Sequence, residues 1–276
     1  MIPIKTFVPT IEPREYDAVN DITYLDNSYG DSMCKKYNRA IDMIGDYQGW
    51  VCFRHDDLEI RTPADIVQAR LRQAYDKNQV IAGVIGTFNL DYLMHWWYPD
   101  REVNGCGYIL QKVLDENKKP VVPEKTYEMK EWPGFHDGVA TVDGCVMWIH
   151  TDAFKHIRFD EKIKGYHFYD VDICLQALRA HLGVCTVPIV ACHESAGDFD
   201  KKEMDKLRVY VFDKWSRIAN TFPINKYSMF RRDDEIEIPG ISDGESEQPS
   251  TEPAERERKP DSAKGQLQKG LSVFGL

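Results

Sequence analysis

The chain has 276 residues, of which 42% are hydrophobic and 12% aromatic, and its formal net charge is -10 at pH 7. This composition is sufficient for a sizeable core in one domain of about 200 residues or more, and the lack of any run of about 18 apolar residues predicts no transmembrane helix. The acidic balance excludes a broad basic face as the source of affinity for nucleic acid.

Strands and helices alternate along the first 230 residues. Apolar runs of strand length predict short buried strands at 4–9, 22–27, 49–53, 79–88, 141–150 and 184–192. Apolar residues at helical spacing predict helices at 32–44, 64–78, 169–183 and 201–222. Such alternation predicts an α/β fold whose sheet is covered on both faces.

Local signals predict where these elements begin and end. Thr62 and Pro63 suit the N-cap and the first position of the second helix. Gly45 and Gly183 are expected to end the first and third helices. The polar, irregular residues 98–131 predict a long excursion over the surface.

The composition changes after Phe230. Residues 231–276 consist largely of Asp, Glu, Ser, Pro, Gly and Lys, which cannot bury enough apolar surface to offset the entropy lost on ordering. We therefore expect a folded domain at 1–230 and a disordered acidic C-terminal tail at 231–276. The N-terminal MIPIKTFVPT lacks the features of a signal peptide, and the seven cysteines form no C-x-x-C pair, so we expect buried thiols in a cytoplasmic protein.

The first polar cluster, His55-Asp56-Asp57, directly follows the apolar run GWVCF. In α/β sheets, ligands bind beyond the carboxyl ends of strands, so these side chains are expected in a cleft. Adjacent carboxylates suit a hard divalent cation that shares its shell with phosphate oxygens. The alternative is a solvated turn beside a helix cap.

Two further clusters follow the same rule. Asp170 and Asp172 lie at the start of the third predicted helix, where they would either cap the helix or act as a general base. His193 follows the strand VPIVAC and is either a ligand or an ordinary surface residue. The three clusters together provide an acidic metal site, a candidate base and an imidazole.

These segments carry a family resemblance. WVCFRHDDLEI, VDGCVMWIHTDAF, FDEKIKGYHFYDVDICLQALRAHLGVCTV and CHES occur here in order. This composite resembles the family-2-like glycosyltransferases of GT-A fold, and most of all the streptomycin-biosynthesis-type subgroup. The resemblance covers residues 1–200 and implies a Rossmann-like nucleotide-diphospho-sugar transferase fold with a mixed, mainly parallel sheet.

The resemblance also implies roles at the metal and donor site. His55, Asp56 and Asp57 occupy the place of the family's D-x-D motif, with Asp57 as the direct ligand of Mn²⁺ or Mg²⁺. His193 resembles a late histidine that completes the metal or pyrophosphate site. His55 and Asp56 would contact the nucleotide-diphospho-sugar, although His55 stands where an aspartate is common.

At the reacting centre, Asp170 matches the residue proposed as base in the inverting members of the family. Asp172 would orient the acceptor or cap the helix. Asp143 and Gly144 match a turn of small residues near the donor sugar, where glycine permits close approach of the backbone; an ordinary turn is the alternative.

The nucleoside is expected against the first two strands, near Pro9, Thr10, Asp26 and Asn27. Here the chain departs from the family pattern. Only about 14 residues separate Thr10 from Leu25, which is too few for a comfortable crossover helix.

The predicted function is metal-dependent transfer of a sugar from a nucleotide-diphospho-sugar to an acceptor hydroxyl, with inversion. One alternative is transfer to a hydroxymethylated nucleobase in DNA, and another is a binding module that has lost turnover. Aromatic residues near the expected acceptor side favour a flat acceptor, although many of them would serve the core instead: Trp96, Trp97, Tyr98, Trp132, Phe135, Tyr166, Phe168 and Tyr169.

Overall fold

The structure is a computed structural model that describes residues 4–27, 32–90, 94, 105–114, 120–128, 134–194 and 201–216. Its strands are β1 (Lys5–Thr10), β2 (Ile22–Asp26), β3 (Trp50–Arg54), β4 (Leu58–Ile60), β5 (Gln79–Gly83), β6 (Ile85–Thr87), β7 (Gly105–Leu114), β8 (Pro120–Glu128), β9 (His136–Asp137), β10 (Thr141–Val142), β11 (Val146–His150), β12 (Gly183–Thr186) and β13 (Ala191–His193). Its helices are α1 (Met33–Met43), α2 (Ala64–Asp76), α3 (Tyr169–Arg179) and α4 (Lys201–Ser216), with a 3-10 turn at Thr151–Lys155.

The chain divides into two units, Met1–Ile236 and Glu237–Leu276, and every described residue belongs to the first. The tail expected at 231–276 lies outside the described residues, so its disorder and the boundary at residue 230 stay predictions. Four of the aromatic residues expected on the acceptor side also lie outside them: Trp96, Trp97, Tyr98 and Trp132.

The main sheet has seven strands in the order β2-β1-β3-β11-β5-β12-β9. Five of these strands run in one direction, because β1 is parallel to β2 and β3, β5 is parallel to β12, and β11 is antiparallel to both β3 and β5. The two antiparallel members are β11 and β9. The predicted mixed, mainly parallel sheet is therefore confirmed.

Both faces of this sheet are covered. Alternate side chains of β3 enter different cores, with Val51 and Phe53 on one face and Trp50 and Cys52 on the other. The first core also receives the apolar stripes of α1, α3 and α4, and the second receives that of α2. Burial on both faces explains why the central strands are continuous apolar runs instead of alternating ones.

A second, smaller sheet has the order β10-β6-β7-β13-β4, and β8 pairs with β7 outside this order. The prediction of an irregular excursion at 98–131 was wrong for the part that the structure describes, because β7 and β8 form an antiparallel pair there. The other partners of β7 are β6, the strand before it in the chain, and β13, which lies far from it in the chain. Local composition carries no signal for such long-range pairing.

Three of the predicted strands are in fact divided between the two sheets. The runs 79–88, 141–150 and 184–192 each contribute one strand to the main sheet and one to the second sheet. The segment from β3 to β4 passes between the sheets in the same way. We call these four crossing points, at 55–57, Val84, 143–145 and 187–190, the seam.

Two of the predicted helix boundaries were also wrong. Pro63 is itself the N-cap of α2, while the Thr62 hydroxyl accepts a hydrogen bond from the Val190 backbone at 2.7 Å. Helix α3 ends at Arg179 instead of Gly183, because His181 adopts a left-handed conformation at φ 59°. The absence of a crossover helix between β1 and β2 is confirmed, since residues 11–21 form turns there.

All seven cysteines are buried and unpaired by disulfides, as expected. Within the part of the chain that the structure describes, no helix is both long and apolar enough to cross a bilayer.

Candidate active site

The candidate site lies at the edge of the main sheet where the parallel strands end. Strands β1 and β2 finish together there, with Thr10 opposite Asp26, and β3 finishes beside them. The antiparallel strand β11 begins at the same edge, where Val146 pairs with Arg54. The backbone N–H of His55 donates to the Cys145 carbonyl at 2.9 Å. The seam thus brings the first predicted cluster beside the predicted turn at Asp143 and Gly144.

The second sheet adds His193 to this edge. Strand β13 is antiparallel to β4, with His193 opposite Leu58, and the backbone N–H of Glu194 donates to the Asp57 carbonyl at 2.9 Å. One ligand atom from each of His55, Asp57 and His193 lies within 4.8 Å of the others. His55 Nδ1 is 4.0 Å and His193 Nε2 is 3.3 Å from Asp57 Oδ1.

Two atoms of this cluster are buried without a hydrogen bond. Asp57 Oδ1 and His193 Nε2 face each other, and neither has a hydrogen-bond partner. Buried polar atoms of this kind are rare in proteins unless an ion or water satisfies them. The residues present therefore fit a bound cation, with two imidazole nitrogens and one carboxylate oxygen as ligands.

The charges in the cluster are coupled. Burial and the neighbouring His193 lower the pKa of His55. Burial acts to raise the pKa of Asp57, but His193 and His55 outweigh it and hold that pKa below its ordinary value. Burial acts to lower the pKa of His193, and Asp57 reverses that effect and raises it. The carboxylate is thus ionised and available to a cation at neutral pH.

Asp170 lies in the first turn of α3, next in the chain to Tyr169, whose hydroxyl is 2.8 Å from Nε2 of His55. Its two carboxylate oxygens accept hydrogen bonds from the backbone N–H groups of Gly144 and Val171, both at 2.9 Å. Burial, followed by the negative charge of Asp143, raises the pKa of Asp170 to about 7. A carboxyl group with such a pKa exchanges its proton near neutral pH, which is the property that a general base needs.

The turn that contains Asp143 and Gly144 supports Asp170. The Asp143 carboxylate accepts a hydrogen bond from the Cys145 backbone at 2.6 Å, which holds the turn closed. A Cβ on Gly144 would collide with the hydroxyl of Tyr169. The close approach expected at Gly144 is therefore made by a side chain of the protein itself.

Strain marks the start of α3. Phe168, which is buried and precedes the helix, adopts a left-handed conformation at φ 64°. A bulky residue in this region costs free energy, and the cost is tolerated only where the surrounding structure requires that conformation. Here it directs the chain so that the first turn of α3 meets the turn at 143–145.

Asp172 is not part of this cluster. It is fully buried, and its oxygens accept hydrogen bonds from Trp215 and Gln176, both at 2.8 Å. Lys214 forms an ion pair with the same carboxylate at 2.6 Å. Residues two positions apart on a helix point in different directions, and this one points towards α4. These contacts give Asp172 a packing role between α3 and α4, and the role expected for it in orienting an acceptor stays a prediction.

The expected nucleoside contacts are only partly exposed. Pro9 and Thr10 are buried, and the Thr10 hydroxyl accepts a hydrogen bond from the Glu12 backbone at 3.2 Å, so neither side chain offers a surface to a ligand. Asp26 is exposed at the end of β2. The Asn27 side chain exchanges hydrogen bonds with the hydroxyl of the half-exposed Tyr166, at 2.9 and 3.2 Å.

Two residues make contacts beyond those expected from the sequence. His55 was expected to contact the donor, yet it lies within the cluster that fits a cation. Tyr169 was considered only as an acceptor aromatic, yet it is buried against His55. The dipeptide Tyr169-Asp170 at a helix start was the available signal. Asp56, in contrast, is exposed and outside the three-residue cluster.

Comparison with known proteins identifies the family. Residues 12–242 match the family described as "Glycosyltransferase like family", and this protein belongs to it. Together with the mixed sheet, this match confirms the predicted GT-A-type α/β fold class. Among curated proteins, none matches this chain.

Solved structures show only distant likeness. A197 from STIV has 11% identity over 69% of this chain and 84% of its own, with a TM-score of 0.40. GalNAc-T7 with UDP, GalNAc and Mn²⁺ has 10% identity over 71% and 37%, with a TM-score of 0.45. A putative glucose-1-phosphate thymidylyltransferase from Bacillus anthracis, in complex with a sucrose, has 10% identity over 75% and 68%, with a TM-score of 0.31. None reaches a TM-score of 0.5, so no residue role in this chain follows from them.

Proposed function

We propose that this protein is a metal-dependent glycosyltransferase that moves a sugar from a nucleotide-diphospho-sugar to an acceptor hydroxyl, with inversion. The observation that carries the proposal is the proximity of two complementary groups at one sheet edge. One is the cluster of His55, Asp57 and His193, and the other is the carboxyl of Asp170, whose pKa is about 7. Membership of the glycosyltransferase-like family supports the same reaction class.

The ligand set favours Mn²⁺ over Mg²⁺. Mg²⁺ prefers an all-oxygen shell, whereas imidazole nitrogens suit transition-metal ions. When bound, the cation would neutralise the diphosphate as it leaves. His55 thus offers a ligand where the family pattern has a carboxylate, which favours an active enzyme over a binding module without turnover.

Asp170 would act as the general base. In its ionised form it accepts the proton of the acceptor hydroxyl while that oxygen bonds to the anomeric carbon. The bond between the anomeric carbon and the donor phosphate oxygen breaks at the same carbon, and the nucleoside diphosphate leaves with the electron pair. Attack from the face opposite to the leaving group inverts the anomeric configuration. The backbone N–H groups of Gly144 and Val171 hold the carboxylate in place.

The remaining assignments are proposals of the same kind. Asp26, Asp56 and Asp143 are the exposed or turn carboxylates near the expected donor. The cysteines are buried and form no disulfide, which favours a reducing compartment, and we place the protein in the cytoplasm on that ground. The acceptor is a saccharide or another hydroxyl compound, and hydroxymethylated DNA belongs among the acceptors that should be assayed.

A donor screen tests the proposal. UDP-, GDP-, dTDP- and CMP-sugars are added with and without Mn²⁺, and the melting temperature is measured. A donor that binds the native state raises it by mass action. We expect one nucleotide class to stabilise the protein only with Mn²⁺, and that donor to be hydrolysed or transferred.

The matched variants are Asp57→Asn and Glu59→Gln. We expect Asp57→Asn to abolish the Mn²⁺-dependent shift and the turnover, since the cluster loses its only carboxylate ligand. Glu59 is exposed two residues further along and pairs with Arg61, so Glu59→Gln should behave as wild type. Turnover by the wild type that is equal with and without metal would refute the proposal.

A further inference from the structure

Tyr169 forms a hydrogen-bonded link between the candidate metal cluster and the turn that holds the candidate base. Its side chain is 2% exposed, and its ring packs against Tyr37 and Phe159. The hydroxyl lies 2.8 Å from the Gly144 carbonyl and 2.8 Å from Nε2 of His55. Packing of the ring requires neither hydrogen bond, because a phenylalanine could make the same ring contacts.

The number of protons available in this link determines the tautomer of His55. The hydroxyl has one proton, and the Gly144 carbonyl can only accept, so that proton is donated to Gly144. The hydroxyl must then accept its second hydrogen bond, and Nε2 of His55 must be the donor. A neutral imidazole carries a single N–H, so its lone pair lies on Nδ1.

The lone pair on Nδ1 belongs to the atom that faces the cluster. Nδ1 is the His55 nitrogen found 4.0 Å from Asp57 Oδ1, on the opposite side of the ring from Tyr169. In the other tautomer, Nδ1 would carry a proton towards the metal position. Nε2 and the Gly144 carbonyl would then compete for one hydroxyl proton in a buried site, which would leave one acceptor unsatisfied.

We propose that Tyr169 is a positioning residue that holds His55 in the Nε2–H tautomer and so presents Nδ1 to the metal ion. The inference rests on the metal site of the proposed function. Metal-binding histidines commonly have their second nitrogen fixed by such a partner, and its loss weakens metal binding by about 10–100-fold. Glycine at position 144 is required for this arrangement, because any side chain there would displace the Tyr169 hydroxyl.

The variant that tests the proposal is Tyr169→Phe, which removes the hydroxyl and keeps the ring. We measure the Mn²⁺ dissociation constant by calorimetry in the absence of donor, and expect it to rise by about 10–100-fold. The control is Tyr47→Phe, which removes a hydroxyl that donates to the Trp50 carbonyl at 3.0 Å instead of to the link. Tyr47→Phe should leave Mn²⁺ affinity unchanged.

A spectroscopic readout needs neither activity nor a variant. Nitrogen-15 NMR of the histidine rings in the metal-free protein, at mildly alkaline pH, separates the two neutral tautomers by the shifts of Nδ1 and Nε2. We expect His55 to be wholly the Nε2–H form in the wild type and a mixture in Tyr169→Phe. An Nδ1–H form in the wild type would overturn the inference, even if the variant failed to fold.

The two proposals fail in different ways. Wild-type protein that binds no Mn²⁺ would refute the metal site, while the NMR measurement would still decide the tautomer. Wild-type protein that binds Mn²⁺, together with a Tyr169→Phe variant of equal affinity, would refute the positioning role and leave the proposed function intact.

Discussion

Asp170 and Asp172 lie two residues apart on the same helical turn, and their surroundings are opposite. Asp172 is fully buried and meets Lys214, with hydrogen bonds from two further side chains. Asp170 meets backbone N–H groups and the negative charge of Asp143, and its pKa is raised to about 7. The charge of Asp172 is balanced by a cation, whereas Asp170 lies beside a second carboxylate and can take up a proton near neutral pH. The two residues are of the same type, so it is the charge of the neighbouring groups that distinguishes an aspartate with a structural role from a candidate base.

Further contacts connect Asp172 and its helix to α4. Lys214 also pairs with Asp160 at 2.7 Å, and Asp160 accepts a hydrogen bond from Tyr210 at 2.8 Å. This network, formed by Asp160, Asp172, Tyr210, Lys214 and Trp215, ties α3 to α4. It therefore fixes the helix whose first turn carries Asp170.

The largest expected effect comes from Asp170→Asn. We expect kcat to fall by about 10²–10⁴-fold, because the amide cannot accept the acceptor's proton. Stability gives an independent check. The raised pKa means that the folded state binds a proton more tightly than the unfolded state, so the cost of ionising Asp170 builds up as the pH rises from the ordinary value of 3.8 towards about 7 and is fully present above it. Urea unfolding of the wild type should show this loss of stability over that pH range, and the variant, which has no carboxyl to ionise, should not show it. A variant with normal kcat would refute the base assignment.

The next effect, Asp172→Ala, should be on stability. Removing one partner of a buried ion pair leaves Lys214 partly uncompensated, and we expect a loss of about 3 kcal/mol in the free energy of unfolding. Each folded molecule should retain most of its kcat at low temperature. The control is Asp42→Ala, which breaks an exposed pair with Arg158 and should cost less than about 1 kcal/mol. If Asp172→Ala lost activity without losing stability, the comparison between the two aspartates would fail.

The smallest effect concerns the charge that sets the pKa of Asp170. Asp143→Asn removes the facing negative charge while its amide oxygen can still accept the bond from Cys145. The wild-type kcat should fall as the pH drops through about 7, because Asp170 becomes protonated there. In the variant, the pKa of Asp170 should be lower, so the acid limb of the profile should move down by about one pH unit. The pH profile of kcat is measured at saturating Mn²⁺ and donor. An acid limb at the same pH in the variant as in the wild type would show that Asp143 does not set the pKa of Asp170.

The pattern of apolar runs predicted most elements of the main sheet and its helices. Central strands such as β3 and β11 are buried on both faces, and helix α4 buries a stripe at helical spacing: Met204, Leu207, Val211 and Trp215. Patterns of this kind depend only on residues close together in the chain, so they can be recognised from a single sequence. The pair β7 and β8 was not predicted, because its segment is polar and irregular in composition and because β7 also pairs with β13, from a distant part of the chain.

The same limit applied to the candidate site. Polar residues after apolar runs predicted His55, Asp57, Asp170 and His193 as site residues. The structure places His55, Asp57 and His193 together and Asp170 against Gly144. Nothing in the sequence showed that Thr10 is buried or that Asp172 faces α4. Those facts depend on the direction of each side chain within a packed structure.

The sequence by itself determined the α/β class, the apolar faces that form the two cores, and the residue types that could bind a cation or accept a proton. The tertiary structure alone decided how these residues combine. Apolar runs that look continuous cross the seam from one sheet to the other, and that crossing brings 55–57, 143–145 and His193 together. Hydrophobicity selects which residues are buried, but only strand register and the packing of α3 determine which carboxylate meets a cation and which meets another carboxylate.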